Sequence, residues 1–180
     1  PTNTNRSDTS ITDVIERYRS YITNIQKKGV LKQKTFYDYS SRLRVLEEFI
    51  RDGIAPVRVC HQLDQAFWTD FFDYLLVDRD LSAKSRNNYR TWSSTFCSWL
   101  VEKRYLADNP IQYIRQMPEH TKFRQPLEHE DLQRLGNYLR ENNRPFLLAV
   151  MMEYNTAIRP TELSFIKLKD INIKEGSVFV

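Results

Sequence analysis

Glycine, cysteine and long apolar runs are all scarce in this chain of 180 residues. Only four residues are glycine, and together with long helical periodicities this scarcity favours a mainly α protein. No apolar run approaches the roughly 18 residues that a membrane-spanning helix needs. The first ten residues, "PTNTNRSDTS", contain no apolar signal core, so nothing marks the chain for export.

The cysteines and histidines are too few and too scattered to suggest a metal or disulfide framework. Cys60 and Cys97 do not form a closely spaced pair, which favours a reducing, cytoplasmic setting. His61, His120 and His129 lack the spacing of metal ligands, so we assign no metal site and interpret them as surface or packing residues.

Apolar side chains and basic charge are the two features that the chain has in quantity. Hydrophobic residues make up 41% of the sequence and aromatic residues 13%, which is enough for a buried core. Residues 1–118 hold 18 basic against 14 acidic side chains, whereas residues 119–180 hold nine of each. The basic excess of the first two-thirds suggests a polyanionic partner.

Apolar residues recur at helical spacing in four segments before residue 104, and capping or turn residues separate the segments. We expect residues 1–9 to be a flexible lead and residues 10–117 to form a helical bundle. The predicted helices run from Ser10, which forms a capping signature with Asp13, to about Gly29; from about Lys32 to Gly53; from Asp64 to about residue 78; and from Ser82 to about Lys103, with a short fifth helix around 110–116.

A polar, proline-bracketed stretch then separates this bundle from a second region. Residues 118–126, "PEHTKFRQP", are predicted to be a linker. Beyond it we expect a helix over 131–140, a second opened by Pro145, and a short third in "RPTELSFIKLKD". The final "INIKEGSVFV" alternates like a single strand without a partner. Residues 127–180 are therefore expected to be part of a truncated domain.

The segment "YNTAIRPTELS" at 154–164 places an arginine at a break between two helices. Pro160 disfavours a helical conformation at Arg159, so Arg159 becomes the N-cap and Glu162, at the third helical position, can bond back to its amide. The guanidinium fork matches two phosphate oxygens, and a helix N-terminus favours an anion. The alternative is a structural arginine paired with Glu153 or Glu162, and spacing by itself favours that structural role.

Three motifs in order resemble the tyrosine recombinases, the phage-integrase family. "TAIRPTELSFIKLKDINI" is similar to the first catalytic box of the family, T-G-L/M-R-x-x-E-L-x-x-L-x-x-x-D-I, with Ala157 at the glycine position. "LSAKSRNNYRTWSSTFCSWLVEKRYLADNP" resembles the fourth core-binding helix, with Ser85 where threonine is common. "QPLEHEDLQRL" resembles the entry to the catalytic domain, with Glu128 replacing threonine. The resemblance spans roughly residues 10–180.

This resemblance implies a four- to five-helix, SAM-like core-binding bundle joined to a truncated α+β catalytic domain. It also implies a site-specific recombinase that needs no metal or other cofactor and rejoins DNA through a 3′-phosphotyrosyl intermediate. In that pattern Arg159 is the catalytic residue that binds the scissile phosphate, and Glu162 supports or caps it. No tyrosine or histidine follows Arg159, so we expect this 180-residue segment to be unable to cleave DNA.

In the family, the two domains clamp a DNA duplex, which points to polar side chains on the outer sides of the second and fourth helices and in the linker. A basic, solvated helix face without a ligand is the alternative. The predicted DNA-contacting residues are Lys34, Ser41, Arg42, Lys84, Arg86, Asn87, Arg90, Thr91, Ser94, Lys122 and Arg124.

The resemblance further implies the cellular setting and the assembly. We expect a cytoplasmic protein of a mobile element, an integrated phage or a conjugative transposon, that acts at the bacterial nucleoid. The full-length family assembles as a tetramer on double-stranded DNA. Two other readings stay open: a non-catalytic DNA-binding regulator on the same scaffold, and a helical interaction module whose basic face is incidental.

Overall fold

The structure, a computed structural model, describes residues 6–53, 57–119 and 125–179. The chain divides into two compact units, Pro1–Thr121 (unit 1) and Lys122–Val180 (unit 2). Unit 1 contains α1 (Ile11–Lys27), α2 (Gln33–Asp52), α3 (Gln65–Val77) and α4 (Ala83–Glu102), with short 3-10 helices at Arg6–Asp8, Cys60–Gln62 and Pro110–Tyr113. Unit 2 contains α5 (His129–Asn142), α6 (Arg144–Thr156), α7 (Pro160–Leu163), a 3-10 helix at Leu168–Asp170, β1 (Ile171–Asn172) and β2 (Ser177–Val178). The prediction of a mainly α fold is confirmed.

Local capping explains where the helices of unit 1 begin and end. The Asp64 carboxylate accepts a hydrogen bond from the Phe67 amide at 2.9 Å, and the Ser82 hydroxyl accepts one from the Ser85 amide at 3.2 Å. Gly29, with φ of 74°, ends the turn after α1, as only glycine adopts this conformation without strain. Ser10 is the N-cap of α1, but its side chain makes no capping hydrogen bond, so the predicted Ser10–Asp13 capping interaction is wrong.

The residues just before α1 are tied to the bundle, which corrects part of the predicted flexible lead. Ser10 pairs with Val59 in an isolated antiparallel bridge, and the Cys60 amide donates to the Thr9 carbonyl at 3.1 Å. The Arg6 guanidinium donates to the Lys103 carbonyl at 3.0 Å. Residues 6–10 therefore belong to unit 1, and residues 1–5 lie outside the described part of the chain.

Aromatic rings from α1, α3 and α4 fill the core of unit 1. Trp92 and Phe96, one turn apart on α4, have nearly parallel rings with centroids 5.9 Å apart, and the Tyr18 ring meets Phe96 edge-on at 4.8 Å. Trp68 and Phe71 of α3 are fully buried beside them. Burying each such ring contributes about 2 kcal/mol of hydrophobic stabilisation. The aromatic face of α3 is therefore a packing surface.

Unit 2 is an α5–α6 helix pair followed by a small two-stranded hairpin. Asn143 caps α6 by accepting from the Phe146 amide at 3.1 Å, just ahead of the helix. β1 and β2 pair antiparallel, with Ile171 opposite Val178, around a turn that contains Gly176 at φ of 61°. The expectation of a lone strand is wrong, because the chain folds back on itself within eight residues.

In the part of the chain that the structure describes, no helix combines the length and the apolar character needed to cross a bilayer.

Candidate functional site

Arg159 lies at the break between α6 and α7, as the proline pattern predicted. Its backbone is extended, with φ of −67° and ψ of 146°, and Pro160 occupies the first helical turn. The Arg159 amide donates to Glu162 Oε2 at 3.1 Å, which completes the predicted link from the third helical position. The arginine side chain is 78% exposed, so the guanidinium is accessible from solvent.

Glu162 also binds the guanidinium itself. Arg159 Nη1 donates to Glu162 Oε1 at 2.8 Å. The hydrogen bond from the Arg159 backbone amide, reinforced by that from its guanidinium, lowers the pKa of the Glu162 carboxyl. The charged carboxylate thus orients the arginine, while the exposed remainder of the planar fork can accept an anion.

Two features around Arg159 did not follow from the sequence: the short length of the helix after it and the left-handed backbone of Ala157 before it. The short helix predicted in "RPTELSFIKLKD" is only four residues long, Pro160–Leu163, so its dipole adds little to anion binding and the guanidinium has to provide the charge. Ala157 caps α6 in a left-handed conformation with φ of 55°, a conformation that glycine adopts more readily.

Two of the predicted DNA-contacting residues on α4 are buried inside unit 1. Arg86 and Asn87 are 6% and 5% exposed. Arg86 Nη1 donates to the Arg115 carbonyl at 2.9 Å, and Asn87 Nδ2 donates to the Met117 carbonyl at 2.9 Å. Their predicted position on the solvent face is wrong, because the chain returns after α4 and covers them.

Arg90 and Ser94 are also engaged with the segment that follows α4. Arg90 Nε donates to the Ile114 carbonyl at 2.5 Å and Nη2 to the Ile111 carbonyl at 3.2 Å. The Ser94 carbonyl accepts from Asn109 Nδ2 at 3.0 Å. Both side chains are half-buried, so their main contacts are within unit 1.

Most of the remaining predicted DNA-contacting residues on α2 and α4 face solvent. Lys34, Ser41, Lys84 and Thr91 are exposed, whereas Arg42 is half-buried with its guanidinium 5.7 Å from the centroid of the Tyr89 ring. These side chains are available to an external partner.

The solvent-facing stripe of α4 includes two residues that sequence reasoning missed. Lys84, Asn88, Thr91 and Thr95 are all exposed, whereas the sequence interpretation placed Asn87 and Ser94 on this stripe. Both sets have helical spacing, and Ser98, which is also exposed, would extend either of them, so local spacing does not separate the two sets. The linker residues Lys122 and Arg124 lie outside the described residues.

Comparison with known proteins gives one curated relative and several structural neighbours. The chain is 31% identical over 166 residues to Putative defective protein IntQ of Escherichia coli strain K12, an alignment that covers 92% of this chain and 38% of that protein. The chain thus spans less than half the length of this curated relative. No protein-family model matches the chain.

The structural neighbours include a lambda integrase dimer bound to a COC′ core site and a lambda integrase tetramer bound to a Holliday junction. The TM-scores are 0.71 and 0.72 at 17% sequence identity. The aligned regions cover 96% and 93% of this chain and 48% and 46% of those chains. At this identity the likeness establishes a shared fold.

Proposed function

We propose, from the premise that this chain belongs to the tyrosine recombinase (phage integrase) family, that it is a segment of a site-specific DNA recombinase that binds duplex DNA. The observation that carries the proposal is the exposed guanidinium of Arg159, held by Glu162 at a proline-broken helix junction. In the full-length parent, the reaction would break and rejoin strands through a 3′-phosphotyrosyl intermediate.

Arg159 is proposed to bind the non-bridging oxygens of the scissile phosphate. During attack by a hydroxyl nucleophile, negative charge builds up on these oxygens, and a fixed cationic donor stabilises it. Glu162 would keep the fork in one orientation before DNA arrives, since it bonds both the amide and the guanidinium of Arg159.

The DNA-binding surface is proposed to include the exposed residues of α2 and α4. Lys34 and Lys84 supply positive charge for phosphates, while Ser41, Thr91 and Asn88 offer short polar groups that allow close approach. The COC′ core site and the Holliday junction to which the lambda integrase neighbours are bound support a DNA partner. Self-association on DNA is proposed on the same basis, since one of those neighbours is a tetramer.

Duplex binding by the 180-residue chain tests this function. We expect weak, salt-dependent binding, because lysines that neutralise phosphates release counterions. Replacing Lys34 and Lys84 together by glutamine should reduce the slope of log K against log salt by about 2, roughly one for each lost phosphate contact. The measurement is a fluorescence anisotropy titration with a labelled duplex over a range of KCl concentrations.

The matched control removes the same charge elsewhere. Lys27 and Lys28 are exposed at the end of α1 and lie outside the proposed surface, so the double replacement Lys27→Gln and Lys28→Gln should leave the slope unchanged. Equal losses of slope in both double variants would assign the binding to net charge alone. Failure of the wild-type chain to bind any duplex at low salt would overturn the proposal in favour of a helical interaction module.

Substitution of the arginine tests its catalytic role in a parent recombinase that carries the complete catalytic set. Arg159→Lys keeps the charge but removes the planar fork, so strand cleavage should fall by about a hundredfold or more, as when one transition-state donor is removed. Duplex affinity should change little. Arg134→Lys on α5, where the side chain is exposed, is the control, and wild-type cleavage by Arg159→Lys would refute the role.

A non-catalytic DNA-binding protein on the same scaffold is the second candidate. It is supported by the name of the curated relative, which describes that protein as defective. A covalent complex between the 180-residue chain and a nicked suicide duplex would exclude it. DNA binding without such a complex is the outcome we expect for this segment.

A further inference from the structure

The chain after α4 turns back along that helix, and three α4 side chains hold its backbone. We call residues 111–119 the exit segment, because they are the last described residues of unit 1 before the chain continues to unit 2. Arg86, Asn87 and Arg90, called here the anchoring cluster, donate to backbone carbonyls at four positions along it. These carbonyls belong to Ile111, Ile114, Arg115 and Met117.

Asn87 sets the register of the exit segment. Its Nδ2 donates to the Met117 carbonyl at 2.9 Å, and its Oδ1 accepts from the Met117 amide at 2.9 Å. The same Nδ2 also donates to Glu119 Oε1 at 2.9 Å. A side-chain amide that bonds both the N–H and the C=O of one residue imitates a β-type backbone pair, so a shift by one residue would break both bonds.

Arg86 has no charged partner that would explain its burial. Among the described residues no carboxylate forms an ion pair with it, and its guanidinium lies 4.6 Å from the centroid of the Phe72 ring. Burial lowers the pKa of Arg86, and the nearby charge of Arg90 adds to this effect. The two cations satisfy the Ile114 and Arg115 carbonyls, which accept no backbone hydrogen bond among the described residues, whereas the Ile111 carbonyl also accepts from the Ile114 amide at 3.1 Å.

Two buried apolar side chains also attach the exit segment to the core of unit 1. Ile111 is fully buried and Ile114 is 7% exposed, so these two side chains enter the core while their carbonyls bond Arg90. The exit segment has no regular structure after Tyr113, and its backbone path therefore depends on these anchors rather than on a helix or sheet.

We propose that Arg86, Asn87 and Arg90 are positioning residues that hold the exit segment in one path and so determine where the chain leaves unit 1. If the proposed DNA-binding function holds, the anchoring cluster also increases the affinity of the chain for duplex DNA, although its side chains do not contact phosphate. This role replaces the direct DNA contacts that the sequence suggested for these residues.

Amide hydrogen exchange on the 180-residue chain tests the positioning role directly. Asn87→Leu keeps the approximate size of the side chain but removes both the nitrogen that donates to the Met117 carbonyl and the oxygen that accepts from the Met117 amide. Exchange at the Met117 amide should rise about tenfold or more, as expected when a buried hydrogen-bonded pair is broken. Protection of the Phe71 amide in α3 should not change, because the core packing is retained.

Asn88→Leu is the matched control for this variant. Asn88 is the exposed neighbour of Asn87, and its side chain makes no hydrogen bond in the part of the chain that the structure describes, so Met117 should keep its protection. Unchanged exchange at Met117 in Asn87→Leu would overturn the proposal. An equal rise at Met117 and Phe71 would also overturn it, because the residue would then serve global stability and not the path of this segment.

A DNA titration separates positioning from phosphate contact. For Arg90→Gln we expect weaker binding at every salt concentration with an unchanged log–log slope, while Lys84→Gln should lower the slope by about one. A decrease of about one in Arg90→Gln would identify a direct phosphate contact and overturn the positioning role. If the wild-type chain binds no duplex, the proposed function fails, and the exchange experiment still decides the role of the cluster.

Discussion

Arg159 and Ala157 show how two neighbouring residues reflect different constraints. Arg159 adopts the extended conformation that a residue before proline prefers, and its side chain remains exposed. Ala157 adopts φ of 55°, although a side chain in this left-handed region is strained by its Cβ. The glycine that the family motif carries at this position would relieve the strain. The junction between α6 and α7 therefore contains a strained alanine, which costs stability.

Replacement of Ala157 by glycine should stabilise this junction. Relief of the left-handed strain contributes about 1–2 kcal/mol, and the greater freedom of glycine in the unfolded chain offsets about 0.5–1 kcal/mol of it. We expect a net gain of about 0.5–1 kcal/mol, measured as slower amide exchange in α6. Ala149→Gly, within the same helix, should show the opposite sign, and a loss of protection in Ala157→Gly would contradict the strain argument.

At the scale of elements, polar side chains cap the starts of α3 and α4, and one left-handed glycine, Gly29, follows α1. Asp64 and Ser82 each bond an amide three residues later, so α3 and α4 begin where the sequence predicts. The 3-10 helix Pro110–Tyr113 begins at Asn109, whose side chain accepts from the Ile111 amide at 3.1 Å. It is shorter than the predicted fifth helix, because the anchoring cluster takes the carbonyls that a longer helix would use.

Removal of the α3 cap should destabilise unit 1 as a whole. Asp64→Ala leaves the Phe67 amide without its side-chain acceptor, and we expect a loss of about 1 kcal/mol in the free energy of unfolding, typical of an N-cap. The measurement is urea denaturation followed by tryptophan fluorescence, which reports Trp68, Trp92 and Trp99 in the core. Asp70→Ala, at an exposed position within α3, is the control; an equal loss there would argue against a capping effect.

At the scale of the whole molecule, the two units differ in how much apolar surface they bury. Unit 1 contains a continuous core of aromatic and aliphatic residues. Among residues 125–179, Leu139 is the only buried apolar side chain, and Phe146, Leu148 and Met151 of α6 are all more than half exposed. Unit 2 therefore has little hydrophobic stabilisation of its own, and the anchored exit segment that leads toward it belongs to the stable unit.

The sequence by itself determined the helical class, the starts of α2, α3 and α4, and the conformation of Arg159, because each depends on residues within about four positions of one another. The tertiary structure decided which of two adjacent asparagines is exposed. Asn87 and Asn88 differ by a rotation of about 100° around one helix, and either could face solvent until the exit segment, some 30 residues later, covers Asn87. Contacts of that sequence separation depend on the packing of the whole unit, so local patterns in the chain do not specify them.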